Sequence, residues 1–189
     1  NLNNTHHKGV TFGNNTFVTV GNQGRIFTSS DNGTTWTQRD SGITNPQGSQ
    51  QLGGVVLRDI TFGNNTFVTG GSYYGSSTMI VLTSSDNGTT WDNSSDSIKF
   101  NGVTFGNNTF VIVGGSNIYT SSDNGTTWTQ RNSGTTKGLT GVTYGNGTFV
   151  TVGNSHIGGY NGGQEVGETT VLISSDNGIT WTKIPMVSE

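Results

Sequence analysis

The residues able to do chemistry fall into two sets. Four aspartates, Asp31, Asp86, Asp123 and Asp176, recur in one frame, Ser-x-Asp-x-Gly-x-Thr-Trp. The other acids, Asp40, Asp59, Asp92, Asp96, Glu165, Glu168 and Glu189, are scattered. Glycoside hydrolysis needs two carboxylates facing each other across a cleft. Glu165 and Glu168 share one segment with Tyr160 and His156, but its glycine-rich surroundings read more simply as a solvated loop. His6 and His7 are adjacent, so on an extended chain they point to opposite sides, and no carboxylate partner is evident. The chain has no cysteine, which removes thiolate sites, and no metal is expected. The Gly158 to Gly163 stretch lacks the following helix and the lysine of a phosphate loop, so no cofactor is expected either. Tyr73, Tyr74, His156, Tyr160, Asn161, Gln164 and Glu165 form a set suited to stacking on sugar rings or on a protein surface. They are the candidate ligand-binding residues.

The four framed aspartates suit a structural task. In a tight turn the carboxylate accepts backbone N–H bonds of its own loop, the glycine supplies positive φ, and the tryptophan packs back over the turn. Asp31, Gly33 and Trp36, then Asp86, Gly88 and Trp91, Asp123, Gly125 and Trp128, and Asp176, Gly178 and Trp181 are assigned that role.

The elements holding them alternate with period two, as in Val10/Phe12, Phe17/Thr19, Ile26/Thr28 and Thr35/Thr37, and are rich in β-branched and aromatic residues. No window has helical periodicity. Each framed segment is preceded by a GVTFGNNTFVTVG-like segment, anchored at Phe12, Phe62, Phe105 and Tyr144. Gly-Asn-Asn or Asp-Asn-Gly turns separate consecutive strands, here A to D, which therefore pair antiparallel. Four four-stranded meanders predict an all-β fold, a β-propeller of four four-stranded antiparallel blades with the framed turns between strands C and D. One domain over 1–189 is expected, with blades at about 8–42, 57–96, 98–134 and 138–185.

The framed segment resembles the Asp-box, or BNR repeat, of sialidases, sortilin-type receptors and photosystem II assembly factors, and the four matches stand in register. The resemblance implies a structural role for the box. Sialidase activity would further imply an arginine triad and a Tyr/Glu nucleophile pair; the chain has only Arg25, Arg39, Arg58 and Arg131, with no sialidase motif around them.

Box spacing is uneven, 55, 37 and 53 residues, yet alternate boxes lie 92 and 90 apart. Blades one and three share a TQR-x-SG tail, whereas blades two and four have long links between strands B and C. A duplicated blade pair is implied. This internal pseudo-twofold favours a closed four-bladed monomer over two chains completing an eight-bladed ring. In a meander the A–B and C–D turns lie on one face of the disc, and the B–C and D–A connections on the other. The irregular segments all fall on the second face, where a binding surface is expected.

A net charge of -3 with eight Lys plus Arg argues against a nucleic-acid surface. No apolar run of bilayer length is present, so no membrane insertion is expected. Nine Asn-x-Ser/Thr sequons, at Asn3, Asn14, Asn32, Asn64, Asn87, Asn93, Asn107, Asn124 and Asn146, permit glycosylation in a secretory pathway. The first expectation is a non-catalytic recognition propeller, extracellular or on the cell surface, binding carbohydrate or a protein partner. A small sialidase-like glycoside hydrolase is the alternative. A structural module of a larger adhesin or self-assembling protein, with self-association, is the third.

Overall fold

Asparagine in the left-handed region shapes the molecule. Asn14 and Asn15 (φ 47° and 57°), Asn64 and Asn65, and Asn107 and Asn108 all have positive φ, as do Asn146 and Gly147. Paired positive φ is what a two-residue hairpin turn demands, so the chain reverses there and the flanking Val, Phe and Thr runs pair.

The computed structural model describes residues 6–43, 54–73, 79–93, 98–154 and 169–186. Blade one comprises β1 (His7–Gly13), β2 (Thr16–Gly21), β3 (Ile26–Ser29) and β4 (Thr37–Arg39). Blade two comprises β5 (Val55–Gly63), β6 (Thr66–Tyr73), β7 (Met79–Ser84) and β8 (Asp92–Asn93). Blade three comprises β9 (Gly102–Gly106), β10 (Thr109–Gly114), β11 (Asn117–Ser121) and β12 (Thr129–Arg131). Blade four comprises β13 (Gly138–Gly145), β14 (Thr148–Asn154), β15 (Thr169–Ser174) and β16 (Thr182–Ile184). Each sheet is an antiparallel meander in sequence order, as the repeat predicts. This is a four-bladed β-propeller. No described helix is long and apolar enough to cross a membrane.

The A strands β1, β5, β9 and β13 pack against their successors, so they lie innermost and the short D strands form the rim. Three apolar clusters fill the spaces between consecutive blades. Val18, Val20 and Ile26 of blade one meet Leu57, Phe67 and Trp91 of blade two. Val68 and Val81 meet Phe100, Val103 and Phe110, and Val111, Val113 and Ile118 meet Leu139, Phe149 and Leu172.

The three joints share their parts. A Cβ placed on Gly13 would lie 2.0 Å from Phe62 Cγ; the same holds for Gly63 against Phe105, and Gly106 meets Tyr144 at 2.1 Å. Only a glycine lets the next blade's aromatic ring reach the backbone there. Asn14 Nδ2 donates to Asn87 Oδ1 (2.6 Å), Asn64 to Asn124 (2.7 Å) and Asn107 to Asn177 (2.6 Å). Five of the sequon asparagines therefore serve as rungs between blades. Asp59 pins the second joint: its carboxylate accepts from Ile60 N (2.9 Å) in its own strand and from Val103 N (3.0 Å) in the next blade. Burial pushes its pKa up, against the pull of these two amides.

The closed monomer is where the structure departs from expectation. Among the described residues, no apolar cluster, hydrogen bond or ring contact joins blade one to blade four. Phe12 is 52% exposed and Trp36 41%, whereas Trp91 is 7% exposed. A box tryptophan is covered by the blade before its own, and among the described residues no blade covers Trp36. The pseudo-twofold relates residue types along the chain; the rotation from blade to blade decides closure.

Candidate functional site

All four boxes have one bond pattern. In blade one, Ser29 Oγ donates to Asp31 Oδ1 (2.7 Å), Thr35 N donates to the same oxygen (2.9 Å), and Thr35 Oγ1 donates to Oδ2 (2.5 Å). Gly33 N donates to Ser29 Oγ (3.0 Å), and Trp36 Nε1 to Gly33 O (3.0 Å). The same set recurs around Asp86, Asp123 and Asp176. The Thr35 hydroxyl, then its amide and the Ser29 hydroxyl, hold Asp31 down at about 2. Asp176 is held at about 2 by the Thr180 hydroxyl and amide, then Ser174. Asp123 is lowered by Thr127 in the same way. For Asp86 burial acts upward but is outweighed by the bonds from Thr90 and Ser84. These carboxylates are ionised at neutral pH and occupied within their own turns, leaving them poorly placed for proton transfer. Gly33, Gly88, Gly125 and Gly178 all have positive φ, 77° to 82°.

The expected ligand set is mostly outside the described residues: Tyr74, His156, Tyr160, Asn161, Gln164 and Glu165 all lie there, as does Glu168. Tyr73 closes β6, half-buried against the cluster between blades one and two, and burial pushes its hydroxyl pKa up. His7 packs its ring edge-on to Phe27 at 5.4 Å and its Nδ1 lies 2.9 Å from Thr19 Oγ1, which makes it part of the blade. Among the described residues no three His, Asp or Glu side chains group to hold a metal.

A cleft of about 450 Å³ opens on blade one, lined by Gln23, Gly24, Arg25, Gln38, Arg39, Asp40 and Ser41. Its walls are the B–C link and the end of β4, which is the face where the irregular connections lie. Comparison with blade three shows why it is open. There the link between β10 and β11 is Gly115-Ser116, Gln130 donates to Asn117 Oδ1 (3.1 Å), and the Ser133 hydroxyl donates to Ser116 O (2.6 Å). In blade one the link is one residue longer, Asn22-Gln23-Gly24, with Gln23 and Gly24 both at φ 63°. Arg25 stands where blade three has Asn117. The link is anchored by Gly24 N donating to Val55 O (3.2 Å) in the next blade.

The cleft carries two cations and one carboxylate. Arg39 Nε donates to Thr28 Oγ1 (2.8 Å), which fixes its side chain, and Arg39 is among the residues lining the cleft. Asp40 Oδ1 accepts from Gly42 N (3.0 Å). The Arg25 backbone bonds within the link, its carbonyl accepting from Gly21 N (3.1 Å) and its N–H donating to Asn22 O (3.4 Å); among the described residues its guanidinium makes no hydrogen bond or ion pair. Such a surface can hold a carboxylate through guanidinium forks; it offers a single acid, and a glycosidase pair needs two. The cleft was not among the expected sites, although the TQR-x-SG tail that forms one wall was visible.

Fold and cleft together define a propeller with a polar opening on its irregular face. No protein-family model matches the chain, and no curated protein matches it. Solved structures do. YCF48 from Cyanidioschyzon merolae superposes with a TM-score of 0.67 at 17% identity over 97% of this chain and 57% of that one. A structure of YCF48 bound to D1 peptide gives 0.56 at 18% identity, over 94% and 53%. The Hadza microbial sialidase Hz136 gives 0.61 at 15% identity, over 94% and 46%. The chain thus spans about half the length of these neighbours, and the likeness is one of fold.

Proposed function

We propose that this chain is a non-catalytic recognition propeller that takes a carboxylate-bearing segment of a protein partner into the blade-one cleft. The carrying observation is an open polar cleft on the irregular face whose lining residues include two cations, Arg25 and Arg39, and a single acid, Asp40. Two cations and one anion among the lining residues give the cleft a net positive balance on a chain whose net charge is -3. An acidic side chain or a terminal carboxylate is therefore the chemistry best matched to it. The fold neighbour solved with a bound peptide supports the choice of a peptide over a sugar. Assignment of the repeat to the Asp-box family is part of this reading, supported by the identical bond set in all four boxes.

The test is a peptide array spanning acidic, neutral and basic sequences, run beside a glycan array. Acidic peptides should be retained by the native chain and bound at least about tenfold more weakly by Arg25→Glu, a change of about 1.4 kcal/mol or more. Binding indifferent to Arg25→Glu, binding of neutral glycans alone, or measurable glycoside turnover would each overturn the proposal.

A further inference from the structure

Every internal joint has two halves. The following blade supplies an aromatic ring, a box glycine, a box tryptophan and a box asparagine. The preceding blade supplies a bare glycine, a turn asparagine and a β-branched wall. At the second joint these are Phe105, Gly125, Trp128 and Asn124 on one side, and Gly63, Asn64, Val68 and Thr83 on the other.

The chain's two open edges carry one half each. Blade one presents Phe12 and Trp36 to solvent, 52% and 41% exposed, with Val10 beside them. A Cβ on its box glycine, Gly33, would meet nothing nearer than its own Trp36. Blade four presents Gly145, with nothing within 4 Å of a Cβ placed there, the turn residue Asn146, and the wall Val150, Val152 and Ile173. By strand register Val150 and Ile173 stand where blade two has Val68 and Thr83. Among the described residues no rung joins Asn146 to Asn32.

We infer that a second copy of this chain seats its blade one on blade four of the first, and the reverse, so that two chains close an eight-bladed ring. The occupant follows from continuity with the interface already built three times inside the chain. The blade-pair repeat makes the fourth joint a copy of the second: blade four corresponds to blade two, and the partner's blade one to blade three. Each chain has one edge of each kind, so a twofold axis satisfies all four edges at once. The inference is independent of the blade-one cleft.

Sedimentation equilibrium of the whole chain should give twice 19.9 kDa. Gly145→Leu fills the space this inference gives to the partner's Phe12, and its Cβ meets no described residue of its own chain within 4 Å beyond its two chain neighbours. It should leave strand content unchanged and raise the pair's dissociation constant at least about a hundredfold, since the ring carries the change at both joints. The chain has no cysteine, so Asn32→Cys with Asn146→Cys tests the fourth rung directly, with Asn14→Cys and Asn87→Cys as the internal control. Disulfides that link two chains support the inference. A disulfide closed within one chain, none where the control pair forms one, a mass of one chain, an open polymer, or a pair indifferent to Gly145→Leu would overturn it.

Discussion

Replacing Gly63 by alanine tests whether a missing side chain sets the blade spacing. The new Cβ would lie 2.0 Å from Phe105 Cγ and 2.1 Å from Cδ1, against 3.4 Å for ordinary contact, so the ring must retreat by about 1.4 Å. It has little room to do so. Phe105 stacks on Phe110 at 4.6 Å between centroids, and Phe110 is fully buried in the cluster between blades two and three. Overpacking of this kind costs about 1–3 kcal/mol, offset by about 0.5–1 kcal/mol gained by removing a glycine from a strand. The net expectation is a loss of up to about 2.5 kcal/mol, or up to roughly 10 °C in Tm for a chain of this length. Urea unfolding of a double-mutant cycle isolates the cause. In a Phe105→Ala background the ring is gone, and Gly63→Ala should cost nothing or stabilise slightly. Equal cost in both backgrounds would refute the account, because the penalty would then come from the strand itself.

Three further outcomes follow from the bonds. Asp31 and Asp176 titrate at about 2 in the fold against an ordinary 3.8, so their stabilisation is complete above about pH 4 and lost as pH falls toward 2. Urea midpoints of Asp31→Asn should therefore depend less steeply on pH in that window than those of the native chain. Burial raises the pKa of Asp59, so its contribution has the opposite sign and favours the fold as it takes up its proton on acidification. Asp59→Asn removes that contribution, and acid destabilisation measured by the same midpoints should set in at higher pH. Ser84 Oγ accepts from Gly88 N (3.0 Å) and donates to Asp86 Oδ1 (2.8 Å); Ser84→Ala should cost about 1–3 kcal/mol in equilibrium unfolding, because it leaves a buried N–H without a partner.

The blades were legible because their signals are local. A turn that needs positive φ selects Asn or Gly, and the carboxylate that closes the box must lie within reach of its own Thr35 or Thr90, so spacing alone locates both. Closure was not legible. Phe12 and Phe62 are the same kind of residue in the same frame, and only the turn from blade to blade decides that Phe62 is covered by its neighbour while Phe12 is not. The cleft was legible in part. The TQR-x-SG tail marked one wall, but its opening depends on one extra residue in the Asn22–Gly24 link and on Arg25 replacing an asparagine. Neither change has a signature until the blades are superposed. The aromatic set at Tyr73 and Tyr74 rested on composition; Tyr73 lies against the apolar cluster at the end of its strand.

The repetition of one joint also bears on how such a chain can change length over generations. A blade that docks through a bare glycine, an aromatic ring and an amide pair asks nothing of its neighbour except the matching half, and every blade here carries both halves. Energies in such an array are dominated by nearest neighbours. A gene that gains or loses a whole blade pair therefore leaves the remaining joints chemically unchanged. Blade number is in that sense a property of the assembly and its curvature, free to drift by duplication, while the design of the single blade stays fixed.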